Sequence, residues 1–168
     1  IKLSIVKNMK NFSDIKQICK VKDEVWNYGI TSQIKWFKKI VTPRDIHLLL
    51  KIDKKIIGYL LLRERKFYFK TIKNKNGNYY LFDSFIIKKE FRKKGYSNKL
   101  MIAAKKIIKD KNYFSLLTAS KKNLKYYLKN GWKITRKINA LDHQDNWIKL
   151  IFNKKTDKYL NVYFKRCN

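Results

Sequence analysis

At Gly95 the period of the hydrophobic pattern changes, and that change limits the fold more than any other feature of the 168-residue chain. Before it, Tyr79 to Ile87 is a strongly β-prone run that ends in a polar stretch, Lys88 to Lys94. After it, Leu100, Met101, Ala104, Ile107 and Ile108 recur at helical spacing while Lys99, Lys105, Lys106 and Lys109 take the opposite face. That pattern predicts an amphipathic helix over Ser97 to Lys109. Tyr113 to Ala119 then reads as a buried strand, and Ser120 as the cap of a short helix, Lys121 to Lys129. Asn130-Gly131 supplies a left-handed exit before a further strand, Trp132 to Arg136.

Upstream, Ile1 to Val6 alternates as a strand, Ser13-Asp14 is placed to cap a helix over Ile15 to Val21, and Val25 to Ile40 holds a second helical stretch, clearest over Gln33 to Ile40. Ile46 to Ile52 and Ile56 to Arg63 are strand-length apolar runs on either side of Asp53-Lys54-Lys55, a hairpin turn in character. Lys66 to Thr71 extends the second of them, and Asn74 to Asn78 is a polar turn. Trp147 to Phe152 and Tyr159 to Phe164 read as a closing hairpin. The order is mixed α/β, with too many strands joined by short turns for a doubly wound sheet. With one proline, no low-complexity linker and no internal repeat, residues 1–168 are expected to form a single domain.

Forty-two Lys and Arg against twelve Asp and Glu give a formal charge of +30, which draws polyanions such as nucleic acids, anionic membranes and phosphorylated cofactors. Lys, Asn, Ile, Tyr and Phe are over-used together, as AT-rich codons alone would produce. Arg, the residue suited to bidentate phosphate and base contacts, is scarce. A nucleic-acid partner is therefore compatible with the charge but not favoured by it. No apolar run is long enough to cross a bilayer, Ile1 to Val6 lacks the apolar core of a secretory signal, and Trp26 and Trp36 read as packing residues. The expectation is a soluble cytoplasmic protein, monomer or homodimer, without a membrane partner. Cys19 and Cys167 lie in no metal-ligand or redox spacing, so free thiols and no metal are expected.

The chemistry concentrates in Phe85 to Met101, FIIKKEFRKKGYSNKLM. A strand leading into Arg92-Lys93-Lys94-Gly95-Tyr96-Ser97 and directly on into a helix presents backbone N–H groups and a positive dipole end to an anion. Gly95 suits a sharp reversal in which a Cβ would stand in the way. Taken alone, the segment is equally an ordinary strand-to-helix turn.

Ile87, Arg92, Gly95 and Ser97 fall in the order of motif A of the GNAT acetyltransferase superfamily: a strand-final aliphatic, then Arg or Gln, two residues, Gly, one residue, and Gly or Ala. Leu116 to Trp132, LLTASKKNLKYYLKNGW, resembles its motif B, with Tyr127 four residues before Gly131 and Trp132. The resemblance covers about Ile46 to Arg136. It departs from the pattern at Ser97, at Lys89 where Pro is common, and at Lys121 where Asn often lies. It implies a mixed, mostly antiparallel sheet flanked by helices, and acetyl-CoA as cosubstrate. On the same basis the backbone of Phe85, Ile86 and Ile87 pairs with the pantetheine arm, the amides of Lys93, Lys94, Gly95, Tyr96 and Ser97 hold the pyrophosphate, and Arg92 and Asn123 complete the cofactor set. The side chains of Lys93 and Lys94 either reach phosphate or are two solvated lysines among many.

Acetylating an amine requires a neutral nucleophile, a polarised thioester and a proton for the departing thiolate. Asp83, four residues before Ile87 and so on the same side of the strand, is the candidate base; its other reading is a structural carboxylate bonded to Ser84 or to a backbone amide. Glu64 and His47 are lesser candidates. Tyr127 is the candidate acid by its spacing to Gly131, with Tyr126 adjacent. IHLLLKIDKKIIGY, the Asp83 strand and the motif B segment resemble bacterial aminoglycoside 2'-N-acetyltransferases, which implies a small-molecule amine such as an amino sugar as acceptor. The alternatives are a protein or aminoacyl-tRNA amine, or a non-catalytic nucleic-acid or protein-binding module on the same fold.

Overall fold

The computed structural model describes residues 1–72, 75–143 and 146–165. Its elements are β1 (Lys2–Lys7), α1 (Phe12–Asp23), α2 (Ile30–Ile40), β2 (Ile46–Ile52), β3 (Lys55–Phe69), β4 (Asn76–Ile87), α3 (Tyr96–Asp110), β5 (Ser115–Ala119), α4 (Lys121–Lys129), β6 (Lys133–Ile134), β7 (Ile138–Ala140), β8 (Ile148–Phe152) and β9 (Leu160–Val162). The class is mixed α/β with a mostly antiparallel sheet, β4/β5 and β7/β9 being the parallel pairs among the described residues. The chain divides into two compact units, Ile1–Arg63 with Asp83–Lys105, and Glu64–Phe82 with Lys106–Asn168. Strands β3 and β4 and helix α3 contribute residues to both.

In the first unit, β1 runs antiparallel to β2 from Lys2↔Lys51 to Lys7↔Ile46, and β2 turns into β3 through Asp53-Lys54, Asp53 taking the left-handed φ of 53° that a tight hairpin requires. Helices α1 and α2 bury Ile15, Ile18, Cys19 and Phe37 against Leu49, Tyr59, Leu61 and Ile86. Each fully buried Leu or Ile contributes about 2 kcal/mol, so this contact, more than intrinsic propensity, holds two short helices. Helix α1 begins earlier than Ser13-Asp14 suggested because Asn11 is its cap, accepting the Asp14 amide at 3.0 Å. Helix α2 begins at Ile30, not Val25: Gly29 turns left-handed (φ 83°) and gives its amide to Asp23 Oδ1 at 2.8 Å, which breaks the helical run. Cys19 is buried and free; Cys167 lies outside the described residues.

In the second unit, β4 pairs parallel with β5 at Tyr80↔Ser115 and Leu81↔Leu116, and Ser115 Oγ donates to the Tyr80 carbonyl at 2.7 Å. Beyond those two positions β4 continues to Ile87 outside that ladder. Strand β5 takes β8 on its other side, and β8 takes β6. The expected C-terminal hairpin does not form. Strand β8 pairs with β5, whereas β9 pairs with the end of β3 (Phe67↔Val162) and with β7, a strand absent from the sequence reading. The polar connection between them, entered through Asn153 at φ 60°, is too long for a tight turn to impose pairing, and the apolar edges of β5 and β3 compete successfully. Tyr79, Leu81, Phe114, Leu116, Ile151, Leu160 and Val162 form the core of this unit. Among the described residues no helix is long and apolar enough to cross a membrane.

Candidate functional site

In the first unit β4 does not keep its two-residue alternation. Ser84 sits at φ 52°, a left-handed residue inside a strand, and Asp83 stabilises it by accepting the Ser84 amide at 2.6 Å and its hydroxyl at 3.2 Å. The spacing argument that put Asp83 and Ile87 on one face does not carry across this irregularity. Asp83 Oδ2 accepts from Arg63 Nη1 at 2.8 Å, and the Asp83 side chain is 27% exposed against 8% for Arg63. Burial alone would raise the carboxyl; the Arg63 guanidinium, the Lys22 ammonium and the two hydrogen bonds outweigh it and hold the group below its ordinary value. Asp83 is therefore ionised at neutral pH, and a weaker proton acceptor than a free carboxylate.

After Ile87 the chain passes through a 3₁₀ turn, Lys89–Phe91, and then reverses. The Lys88 amide donates to Ile57 O at 2.9 Å, and Arg92 Nε donates back to Ile87 O at 2.9 Å, so the Arg92 side chain braces the loop it leads into. Lys93 (φ 62°) and Gly95 (φ 76°) are both left-handed, and a Cβ on Gly95 would meet nothing within 4 Å. Its glycine is thus required by conformation and not by crowding. The amides of Lys93, Lys94 and Gly95 donate to no described residue, and helix α3 starts at Tyr96 with Ser97 in its first turn. Consecutive free amides at a helix N-terminus fit a pyrophosphate. Gly58 on β3 also serves this region: a Cβ there would come within 2.6 Å of Ile87 Cδ1 and 3.4 Å of Leu100 Cδ1, so the glycine lets strand end and helix pack closely.

In the second unit α4 runs from Lys121 to Lys129 as the sequence indicated, and Gly131 at φ 83° makes its exit. Tyr127 lies edge-on to Phe82 (6.3 Å between ring centres) and to Trp132 (6.2 Å). Burial, then the neighbouring Tyr126, pushes its phenol well above the ordinary value, so Tyr127 keeps its proton at neutral pH, as a proton donor must. Asn123 is exposed on the same helix. Glu64 is half-buried in this unit. In the first unit His47 is wholly buried, its Nδ1 2.8 Å from Tyr59 Oη.

Two groups that act on Asp83, Arg63 and Lys22, escaped the sequence reading, as did the ring of Trp36 on which both lie. Lys22 of α1 places Nζ 3.2 Å from the centre of the Trp36 ring, and Arg63 Cζ lies 5.9 Å from the same centre. The available signal was Lys22 itself, which occupies the buried stripe of α1 after Ile15, Ile18 and Cys19. Among the described residues no cluster of His, Cys, Asp and Glu has the makings of a metal site.

A family model described as "Acetyltransferase (GNAT) family" matches residues 11–132. No curated protein matches the chain. Among solved structures, an acyl-CoA N-acyltransferase from Pseudomonas aeruginosa is 12% identical, with 90% of this chain and 99% of that one covered at a TM-score of 0.62. The PaiA N-acetyltransferase of Thermoplasma acidophilum, in complex with coenzyme A, is 20% identical over 90% and 98% of the two chains, with a TM-score of 0.56. An aminoglycoside 6'-N-acetyltransferase complexed with coenzyme A is 12% identical over 90% and 96%, with a TM-score of 0.65.

Proposed function

Because the chain belongs to the acetyltransferase (GNAT) family, we propose that it transfers an acetyl group from acetyl-CoA to the primary amine of a small molecule, by direct attack of the amine on the thioester. Acetyl-CoA supplies the activated acyl group when bound. The observation that carries the reading is the turn at 92–97, where two left-handed residues leave the amides of Lys93, Lys94 and Gly95 undonated at the start of α3. Those amides, with Tyr96 and Ser97, bind the pyrophosphate; Arg92 and Asn123 complete the proposed cofactor set; the backbone of Phe85, Ile86 and Ile87 hydrogen-bonds the extended arm. The family match runs through both units, which supports reading residues 1–168 as one catalytic domain.

The remaining roles concern protons. An alkyl amine with a pKa of about 10 is mostly protonated at neutral pH and has to lose that proton before it attacks. Asp83, kept ionised by Arg63, is the carboxylate assigned as the base for that proton. Tyr127 Oη, kept protonated by burial, gives one to the departing thiolate. Amino sugars are the first acceptors to screen, on the resemblance of the middle region to aminoglycoside acetyltransferases. The test is calorimetric titration with acetyl-CoA at physiological salt, with ADP as the control for nonspecific attraction by a +30 surface. Saturable one-to-one binding of acetyl-CoA well beyond ADP is expected; equal binding of the two refutes the cofactor site.

A further inference from the structure

Lys22 stands where the pattern of α1 calls for an apolar side chain. It is 4% exposed, stacked 3.2 Å over Trp36 and 6.0 Å from the centre of Trp26, and its ammonium makes no hydrogen bond among the described residues. Burying an ion is costly, and a ring face returns only part of that cost. The carboxylate that acts on it is Asp83, but both Asp83 oxygens are engaged, Oδ2 with Arg63 and Oδ1 with Ser84. The other titratable groups felt at Lys22 and Asp83 do not help: the Cys19 thiol and the Tyr59 phenol are both raised by burial and neutral. Two cations thus act on one carboxylate, and the Lys22 ammonium has no hydrogen-bonding anion of its own among the described residues. Trp26, Trp36 and Asp83 are only partly buried, so the cluster is accessible on their side.

We propose that this cluster is an acceptor subsite, and that the acceptor carries an oxyanion, a carboxylate or a phosphate, beside its primary amine, bound by the Lys22 ammonium. The inference rests on the amine-acetylation reading and names the class of substrate. It also serves the chemistry. Once the nitrogen is deprotonated, an amine bearing a carboxylate carries −1 and one bearing a phosphate about −1.5 to −2, and these are the forms the Lys22 ammonium attracts. The site therefore favours the state of the substrate that can attack. A polycationic acceptor would add to the imbalance, and the +30 surface would repel it at long range while steering anions inward. Burial lowers the Lys22 ammonium to about 8, with Asp83 opposing and Arg63 assisting, so hold on an oxyanion weakens as pH rises through that value.

The experiment measures binding, by calorimetry on the intact chain with coenzyme A present, to two matched pairs that differ in the oxyanion: leucine against leucinamide, and glucosamine 6-phosphate against glucosamine. At pH 7 the anionic member of at least one pair binds about tenfold tighter or more, as expected of a hydrogen bond to a charged group. Which pair shows it separates carboxylate from phosphate. K22M removes the preference and leaves acetyl-CoA affinity unchanged; K22R retains it. Absence of preference in both pairs, or a preference that survives K22M, overturns the subsite. If acetyl-CoA binds and neutral amines are acetylated as well as anionic ones, the inference fails and the acetyltransferase reading stands; if acetyl-CoA does not bind, both fail.

Discussion

Asp83→Asn tests the ion pair that organises the first unit. Asn keeps the shape of Asp83 and an oxygen for the Ser84 amide, so the substitution removes the charge and little else. Arg63, with 8% of its side chain exposed, then remains as a buried guanidinium without its carboxylate, and Lys22 loses the one anion acting on it. Breaking a buried pair from one side costs about 3 to 5 kcal/mol; because Asp83 is 27% exposed and water can enter at its side, the lower figure, about 3 kcal/mol, applies. Urea unfolding at pH 7 measures it, with R63M and the double variant D83N/R63M completing the cycle. The expected coupling is about 2 kcal/mol, the rest of the D83N effect being the charge of Lys22. A D83N loss below about 0.5 kcal/mol, or the same loss with and without Arg63, would show that the pair is solvent-screened and would remove the argument that Asp83 is held ionised by its neighbours.

His47 is wholly buried, and burial, opposed by Asp45, lowers it to about 4. Its folded pKa lies below the unfolded 6.5, so the folded state binds fewer protons between those values, and stability that is full above pH 6.5 drains away as pH falls to 4. At about 1.4 kcal/mol per tenfold change in proton affinity the loss is about 3 kcal/mol, and H47Q should flatten the unfolding free energy over that window. Gly95→Arg places a side chain at φ 76°, which costs about 1 to 2 kcal/mol and so disfavours the turn that aligns the free amides; acetyl-CoA binding should vanish in calorimetry, and an unchanged affinity would refute the pyrophosphate assignment. Tyr127→Phe should lower turnover about a hundredfold while acetyl-CoA affinity stays within about twofold, and unaltered turnover would end the acid role.

What could be read from the sequence was what local chemistry decides. Helix α4 has the expected bounds because the Lys121 to Lys129 pattern and Asn130-Gly131 act within one stretch of chain, although Ser120 stands at the N-cap without the side-chain hydrogen bond expected of it. The hairpin of β2 and β3 follows from Asp53-Lys54 for the same reason. The failures are non-local. Whether β8 pairs with β9 or β5 depends on which apolar edges are open, and nothing inside residues 147–164 records that. The left-handed Ser84 depends on a side-chain bond from Asp83 that no periodicity reports. Asp83 could be picked out as a carboxylate in an apolar strand, but its role turns on Arg63, twenty residues earlier, and on Lys22 and Trp36, on two further elements.

Lys22 shows how a misfit residue separates the demands of folding from those of chemistry. An apolar side chain of similar length would continue the buried stripe of α1, pack against Trp36 and spare the unit an unpaired ammonium; replacing buried charges by apolar residues is often neutral or stabilising, by about 1 to 4 kcal/mol. The same holds in the titration. Lowered from 10.5 to about 8, Lys22 is a group whose folded state binds fewer protons than the unfolded chain between those values, so its presence costs stability at neutral pH. Arg63 does not require it, since Asp83 already answers Arg63 at 2.8 Å. The fold therefore gains less from a cation at this position than burying it costs. On the proposed subsite, an apolar side chain in place of Lys22 improves stability and removes recognition of the anion.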